Sequence, residues 1–348
     1  MSNKDMNERR DRIAPYLYEK NKGILFDELQ EEMLEKMEAE DFLRGVPVPI
    51  LGAFGDEINT VTIAIGMGRV LGGDGNFPYR EAYLSFMHLV FGDQAVKVFL
   101  KEGASAATHG DDLVAAMFFR MALILEPKSC DALYLYALAC RNAYTNAEGE
   151  EDAFVGNFKA ESMEAFETLT LLHPDFAEGY YYLGFCYANM GLYLKAKLTW
   201  ESFMQLTAAD TDPAVEEEKQ EIQELLEKLT EPVKIEEGIN HVLSGDYQGG
   251  EAILRPYTDS SFASWWPLWY YLGMAESAMG NLEQAVSDYK NGLTYSPSNE
   301  QILEDLILIF DAVGDREQAD KYRKKLEIVG KNAEADREEA ERVRKNNF

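Results

Sequence analysis

The sequence predicts an all-α protein: an α-solenoid of about seven helical hairpins with an N-terminal helical extension. Three observations carry that expectation. A set of glycine, small and aromatic residues recurs at intervals near 34 residues, and a repeat of that length marks a stack of supersecondary units. Hydrophobic residues make up 46% of the chain and aromatics 12%, which is the composition of a packed protein despite the acidity. The chain has 348 residues, long for a single centred core, whereas an array that grows in one direction has no such limit.

The repeat shows best in the stretch Tyr180-Tyr181-Tyr182-Leu183-Gly184-Phe185-Cys186-Tyr187, which continues to Gly191, Ala196 and Trp200. It recurs in outline as Trp269-Tyr270-Tyr271-Leu272-Gly273, followed by Gly280, Ala285, Tyr289 and Pro297. In both, a turn glycine follows the Leu-Gly pair by seven residues, an alanine comes five later and an aromatic four beyond that. The pattern resembles the tetratricopeptide repeat, whose unit is two antiparallel helices in about 34 residues.

Extending the register places its eighth position, the small residue where two helices touch, at Gly68, Gly103, Ala137, Gly184, Gly238, Gly273 and, less well, Ile307. The turn glycine follows at Gly75, Gly110, Gly191, Gly245, Gly280 and Gly314, where a sharp reversal favours a residue free to take positive φ. Pro127, Pro174 and Pro297 mark the ends of second helices. The expected organisation is an N-terminal helical extension (1–60), four units (61–210), an acidic connecting helix (211–230), three units (231–333) and a charged capping helix or tail (334–348).

Two intervals exceed the period. Thirteen extra residues at 145–157 form a helix extension or a surface loop within one unit. Twenty extra residues within 208–229 read as an added amphipathic helix, with Asp212-Pro213 as cap and first-turn proline and Val215, Ile222, Leu225, Leu226 and Leu229 on one face. Ahead of the units, residues 7–19 and 26–43 read as two helices, and Val46-Pro47-Val48-Pro49-Ile50 breaks the pattern.

The formal charge is −29, from 33 Lys plus Arg against 62 Asp plus Glu. Nucleic acid and an acidic membrane surface are therefore not expected partners unless a local basic patch exists. The longest apolar run, 113–125, is interrupted by Arg120 and is too short to span a bilayer, so no membrane insertion is expected. No apolar signal stretch follows the start, and Cys130, Cys140 and Cys186 suit reduced core thiols, so a cytoplasmic location is expected.

Chemistry is not indicated. His88, His109, His173 and His241 are dispersed without metal-ligand spacing, and Gly72-Gly73-Asp74-Gly75 lacks the Lys-Ser/Thr of a phosphate loop and falls at an inter-helix turn in the register. No catalytic residue, metal site or cofactor is expected.

A ligand would lie along the first helices. The resemblance implies that positions 2, 5, 9, 12 and 13 of each unit face a groove. These are Asp131, Tyr134, Leu138, Arg141 and Asn142 in one unit, and Glu178, Tyr181, Phe185, Ala188 and Asn189 in the next. A later unit supplies Pro267, Tyr270, Met274, Ser277 and Ala278. Tyrosine at position 5 three times and Asn at position 13 twice suit the backbone of a bound segment. A lysine- and arginine-based clamp for a terminal carboxylate is not expected, since Arg141 stands nearly alone. The sequence thus reads as a protein- or peptide-binding scaffold, with a basic partner favoured by charge. A chaperone or secretion-associated helper, or a peptide-responsive regulator acting through protein contact, stands as the alternative. The oligomeric state is left open.

Overall fold

The computed structural model describes residues 11–50, 59–147 and 152–346, with side chains described to residue 332. The chain divides into two compact units, Met1–Ile222 and Gln223–Phe348.

In the first unit the N-terminal region departs from a pair of long helices. Helix α1 (Ala14–Asn21) is followed by a strand β1 (Leu25–Glu28), two short helices α2 (Glu31–Met37) and α3 (Glu40–Leu43), and a strand β2 (Pro47–Ile50). The part of the first expected helix before Asp11 lies outside the described residues. The second expected helix, 26–43, gives way to β1 because Leu25 to Glu28 pair antiparallel with β2, Phe26 opposite Pro49 and Glu28 opposite Pro47. The prolines that seemed only to break a pattern lie in a two-stranded ribbon, where a missing N–H is tolerated at an edge. The Tyr83 hydroxyl donates to the Pro47 carbonyl (2.7 Å) and fastens β2 to the helices behind it.

The hairpins then follow: α4 (Thr60–Gly73) with α5 (Arg80–Phe91), α6 (Ala95–Thr108) with α7 (Asp112–Leu125), α8 (Cys130–Thr145) with α9 (Asp152–Leu172), and α10 (Ala177–Asn189) with α11 (Tyr193–Leu206). Of the insertion at 145–157, the residues from Asp152 on extend α9 at its start, Thr145 ends α8, and 148–151 lie outside the described residues. The added helix is α12 (Pro213–Lys228); Asp212 Oδ1 accepts from the Ala214 N–H (2.9 Å), and Ile222 is fully buried. The second unit holds α13 (Thr230–Leu243) with α14 (Tyr247–Leu254), α15 (Trp266–Ala278) with α16 (Leu282–Tyr295), and α17 (Glu300–Ala312) with α18 (Arg316–Asn346). The charged C-terminal segment is thus continuous with the second helix of the last hairpin.

Why the chain reverses where it does is written in its caps. Asp111, Ser129, Asp246 and Asn299 each accept, through a side-chain oxygen, the backbone N–H three residues on. That satisfies one of the donors a helix start leaves unpaired. At the other end, Gly110, Gly191, Gly245, Gly280 and Gly314 take φ between 74° and 91°. The next residue then reaches back to a carbonyl five positions earlier, as in Asn281 N to Glu276 O (2.9 Å) and Asp315 N to Phe310 O (2.9 Å).

The helix crossings confirm the register. Each eighth-position glycine faces a large residue sixteen positions on: Gly103 with Phe119, Gly184 with Trp200, Gly238 with Leu254 and Gly273 with Tyr289. A Cβ on Gly273 would lie 2.7 Å from the Tyr289 ring, and one on Gly238 2.8 Å from Leu254. The first hairpin departs. Gly75 does not take positive φ, Gly68 faces Phe99 of α6, and Gly72 lies flush against the Met117 carbonyl of α7. Glycines in α4 therefore let two helix backbones approach, where an inter-helix turn was expected for Gly72 and Gly73.

Candidate functional site

The sequence-predicted residues fall on two surfaces, one in each unit. In the first, α8 and α10 present an aromatic face. Tyr134 is half-buried, edge-on to Phe176 (5.2 Å between ring centroids) and 6.1 Å from Tyr182. The Arg141 guanidinium lies 5.4 Å from the Tyr182 centroid, so it is held over a ring as a cation–π partner. Leu138 is half-buried beside them.

Tyr181 is the hub of this face. Its ring is edge-on to Tyr182 (5.0 Å) and Phe185 (5.1 Å), and Phe185 is in turn edge-on to Trp200 (5.1 Å). The phenol donates to Glu221 Oε2 of the acidic helix α12 (2.7 Å). Burial and this bond to a carboxylate push the Tyr181 hydroxyl well above the usual phenol range. Glu218, on the same helix, is raised by burial and then by Glu178 and Glu221. Of the two asparagines expected to face a ligand, Asn142 lies near the Asp112 carboxylate, which accepts from Asn146 Nδ2 (3.1 Å), and Asn189 lies near the Tyr144 hydroxyl.

The surface in the second unit is open. Tyr270, Met274, Ser277 and Ala278, four groove positions of one hairpin, line a depression of ≈ 390 Å³. Its opposite wall is α17, through Asp305, Leu308 and Ala312. Leu308 is 66% exposed, a large apolar side chain left in solvent at the edge of the depression. Tyr270 is half-buried, 5.3 Å from Tyr271 and 6.1 Å from both Trp266 and Tyr289. The Tyr289 hydroxyl donates to Asp305 Oδ2 (2.9 Å), yet burial still pushes the Asp305 carboxyl above its ordinary range. Pro267 opens α15 and does not line the depression.

Sequence reasoning missed the contribution of α12 to the first surface and of Leu308 and Ala312 to the second. The last two occupy positions 9 and 13 of the final unit and would have been found had Ile307, a poor match at position 8, been followed through. No group of His, Cys, Asp or Glu among the described residues is arranged to hold a metal ion, and no described helix is long and apolar enough to cross a membrane.

No protein-family model matches the chain, and no curated protein matches it. Matches of low identity occur among solved structures. A tetratricopeptide repeat protein from Parabacteroides merdae is 18% identical, with 88% of this chain and 96% of that one covered and a TM-score of 0.31. The tetratricopeptide domain of P58(IPK) is 17% identical, with 72% and 68% covered and a TM-score of 0.38. MamA is 15% identical, with 68% and 93% covered and a TM-score of 0.28. The crossings and turns described above define the class directly: the chain is a tetratricopeptide-like helical repeat protein.

Proposed function

We propose that the protein is a non-catalytic scaffold that captures a protein or peptide segment on the first helices of its hairpins. The observation that carries this reading is the open depression between α15 and α17, with Leu308 66% exposed on its wall. An apolar side chain of a partner would be seated between Tyr270, Met274 and Leu308, removing all of them from water.

The partner is a basic segment in this reading. α15 and α17 carry Glu276, Glu300, Glu304, Asp305 and Asp311 and no Lys, Arg or His. Glu276 is paired with Arg255 and Asp311 with Arg323, leaving Glu300, Glu304 and Asp305 as the carboxylates facing a cationic segment. A cytoplasmic location belongs to the same proposal, since Cys140 and Cys186 are free and buried.

The test is site-specific photocrosslinking in cells. A photoreactive residue in place of Leu308 is expected to trap a discrete protein, and the same residue in place of Lys195, on α11 of the other unit, is not. Equal or no crosslinking at the two positions would overturn the proposal.

A further inference from the structure

In a chain of charge −29, one surface of the second unit is basic. Lys290 on α16 and Lys321 and Lys325 on α18 converge on a depression of ≈ 240 Å³, whose remaining walls are Leu293, Thr294 and Tyr322. It lies between the second helices of the last two hairpins, away from the surface formed by α15 and α17.

The lysines are not neutralised. Two carboxylates of α18 are engaged by other cations: Asp320 binds Arg323 (2.8 Å), as does Asp311 across from it, and Glu327 binds Lys331 (2.6 Å). Among the described residues, Lys290, Lys321 and Lys325 form no salt bridge. Two of them are placed by aromatic faces instead. Phe310 and Tyr322 stack at 5.7 Å with an interplanar angle of 6°. The Lys290 ammonium lies 6.0 Å from the Phe310 centroid and that of Lys321 5.6 Å from the Tyr322 centroid. A ring face orients an ammonium without cancelling its charge, as a carboxylate would.

We propose that this depression binds a phosphate group carried by a small molecule. Three point charges around one compact hollow suit a compact multivalent anion, because lysine ammoniums hold phosphate oxygens by charge-assisted hydrogen bonds without needing the planar fork of arginine. An extended acidic chain or a nucleic-acid strand would run beyond the three lysines onto the surface of a chain of net charge −29 and be repelled there. The Thr294 hydroxyl, at the rim, donates to the Lys290 carbonyl (3.2 Å) and retains lone pairs but no further proton, so the lysines supply the recognition.

The experiment is calorimetric titration of the full chain with pyrophosphate and with O-phosphoserine, using citrate and a short single-stranded oligonucleotide for comparison. Both phosphate compounds are expected to bind saturably. The variant carrying Lys290→Gln, Lys321→Gln and Lys325→Gln is expected to bind them at least about tenfold more weakly, the effect of losing one or more charge-assisted hydrogen bonds. Lys195→Gln with Lys197→Gln, in the other unit, is expected to change nothing. Lys325→Gln alone gives a second measurement that leaves the aromatic-held lysines in place. No saturable heat, an equal loss in the Lys195/Lys197 variant, or citrate or the oligonucleotide binding as tightly as pyrophosphate would each overturn the assignment.

Discussion

Trp200 lies across Gly184 of α10, its indole Nε1 donating to the Tyr181 carbonyl (3.1 Å) over the space a side chain at Gly184 would fill. A methyl at Gly184 would overlap the indole, which is 1% exposed. Gly184→Ala is therefore expected to destabilise the first unit by about 1 to 3 kcal/mol, the usual range for overpacking, although alanine has the better helix propensity. Urea unfolding followed by tryptophan fluorescence measures it. A neutral or stabilising result would show that α10 and α11 can separate without cost.

Arg255 organises the second unit. Its guanidinium donates to Glu251 (2.8 Å), Glu276 (2.6 Å) and Asp288 (2.9 Å), and Asp288 is 1% exposed. Arg255→Met leaves the buried carboxylates without their cation, at a cost of about 3 to 5 kcal/mol. Asp288 is already raised by burial against the lowering influence of Arg255, so losing the arginine raises it further. A carboxyl raised in the folded state contributes stability below its unfolded pKa that is lost as pH rises through the folded value. The deficit of Arg255→Met is thus expected to shrink on acidification. Thermal unfolding from neutral to acidic pH is the check, and a deficit constant with pH would contradict the assignment to Asp288.

The repeat units were legible because their signals are local and periodic. A glycine, a large residue sixteen positions on and a second glycine in the turn specify a hairpin with no long-range information, so Gly103, Gly184, Gly238 and Gly273 could be placed from spacing alone. The N-terminal ribbon was not legible, since β1 is four residues long, exposed throughout, and recognisable only through its pairing with Pro47 to Ile50 about twenty residues away. The α4–α7 approach is a tertiary choice of the same kind: Gly72 reads as a turn residue until Met117 is seen against it. At the candidate sites the register found the tyrosines but not what covers them. Glu221 reaches Tyr181 from a helix that belongs to no repeat, so no repeat position could have announced it.

Asp305 makes a second pH-dependent prediction, of opposite use. Burial raises its carboxyl despite the Tyr289 hydroxyl that donates to it. Charged Asp305 therefore costs stability at neutral pH, and that stability returns as pH falls toward the ordinary value of 3.8. Asp305→Asn keeps an oxygen to accept from Tyr289 and removes the charge. It is expected to be more stable than the parent at neutral pH, with the difference vanishing near pH 3.8. A parallel pair of stability curves would rule out a raised Asp305.

Thiol reactivity should separate the three cysteines. Burial pushes the Cys186 thiol up to about 11 and Cys140 further, and both are at most 1% exposed. Cys130 is half-buried, raised by burial and by Asp131, Asp175 and Glu178. Since the thiolate is the reactive form, a chromogenic disulfide reagent at neutral pH is expected to label Cys130 slowly and the others only on unfolding. Rapid labelling of Cys186 in the folded protein would mean that α10 opens readily.

Leu308 offers the sharpest test of the partner's chemistry. At 66% exposure it adds little to the fold, so substitutions there should leave the melting temperature nearly unchanged, whereas Tyr270→Ala removes ring contacts with Trp266, Tyr271 and Tyr289 and lowers it. Leu308→Asp and Leu308→Lys both delete the apolar anchor, but they move the charge of the wall in opposite directions. Toward a basic segment, Leu308→Lys adds repulsion beside Glu304 and Asp305 while Leu308→Asp adds attraction, so capture is expected to fall in the order parent, Leu308→Asp, Leu308→Lys. The gap between the two variants should narrow at high salt, because exposed charges are screened within a Debye length of about 8 Å at physiological ionic strength. Quantifying the crosslinked partner in each background reads the order directly. If Leu308→Lys captured more than Leu308→Asp, the segment would be acidic and the charge argument, though not the groove, would be wrong.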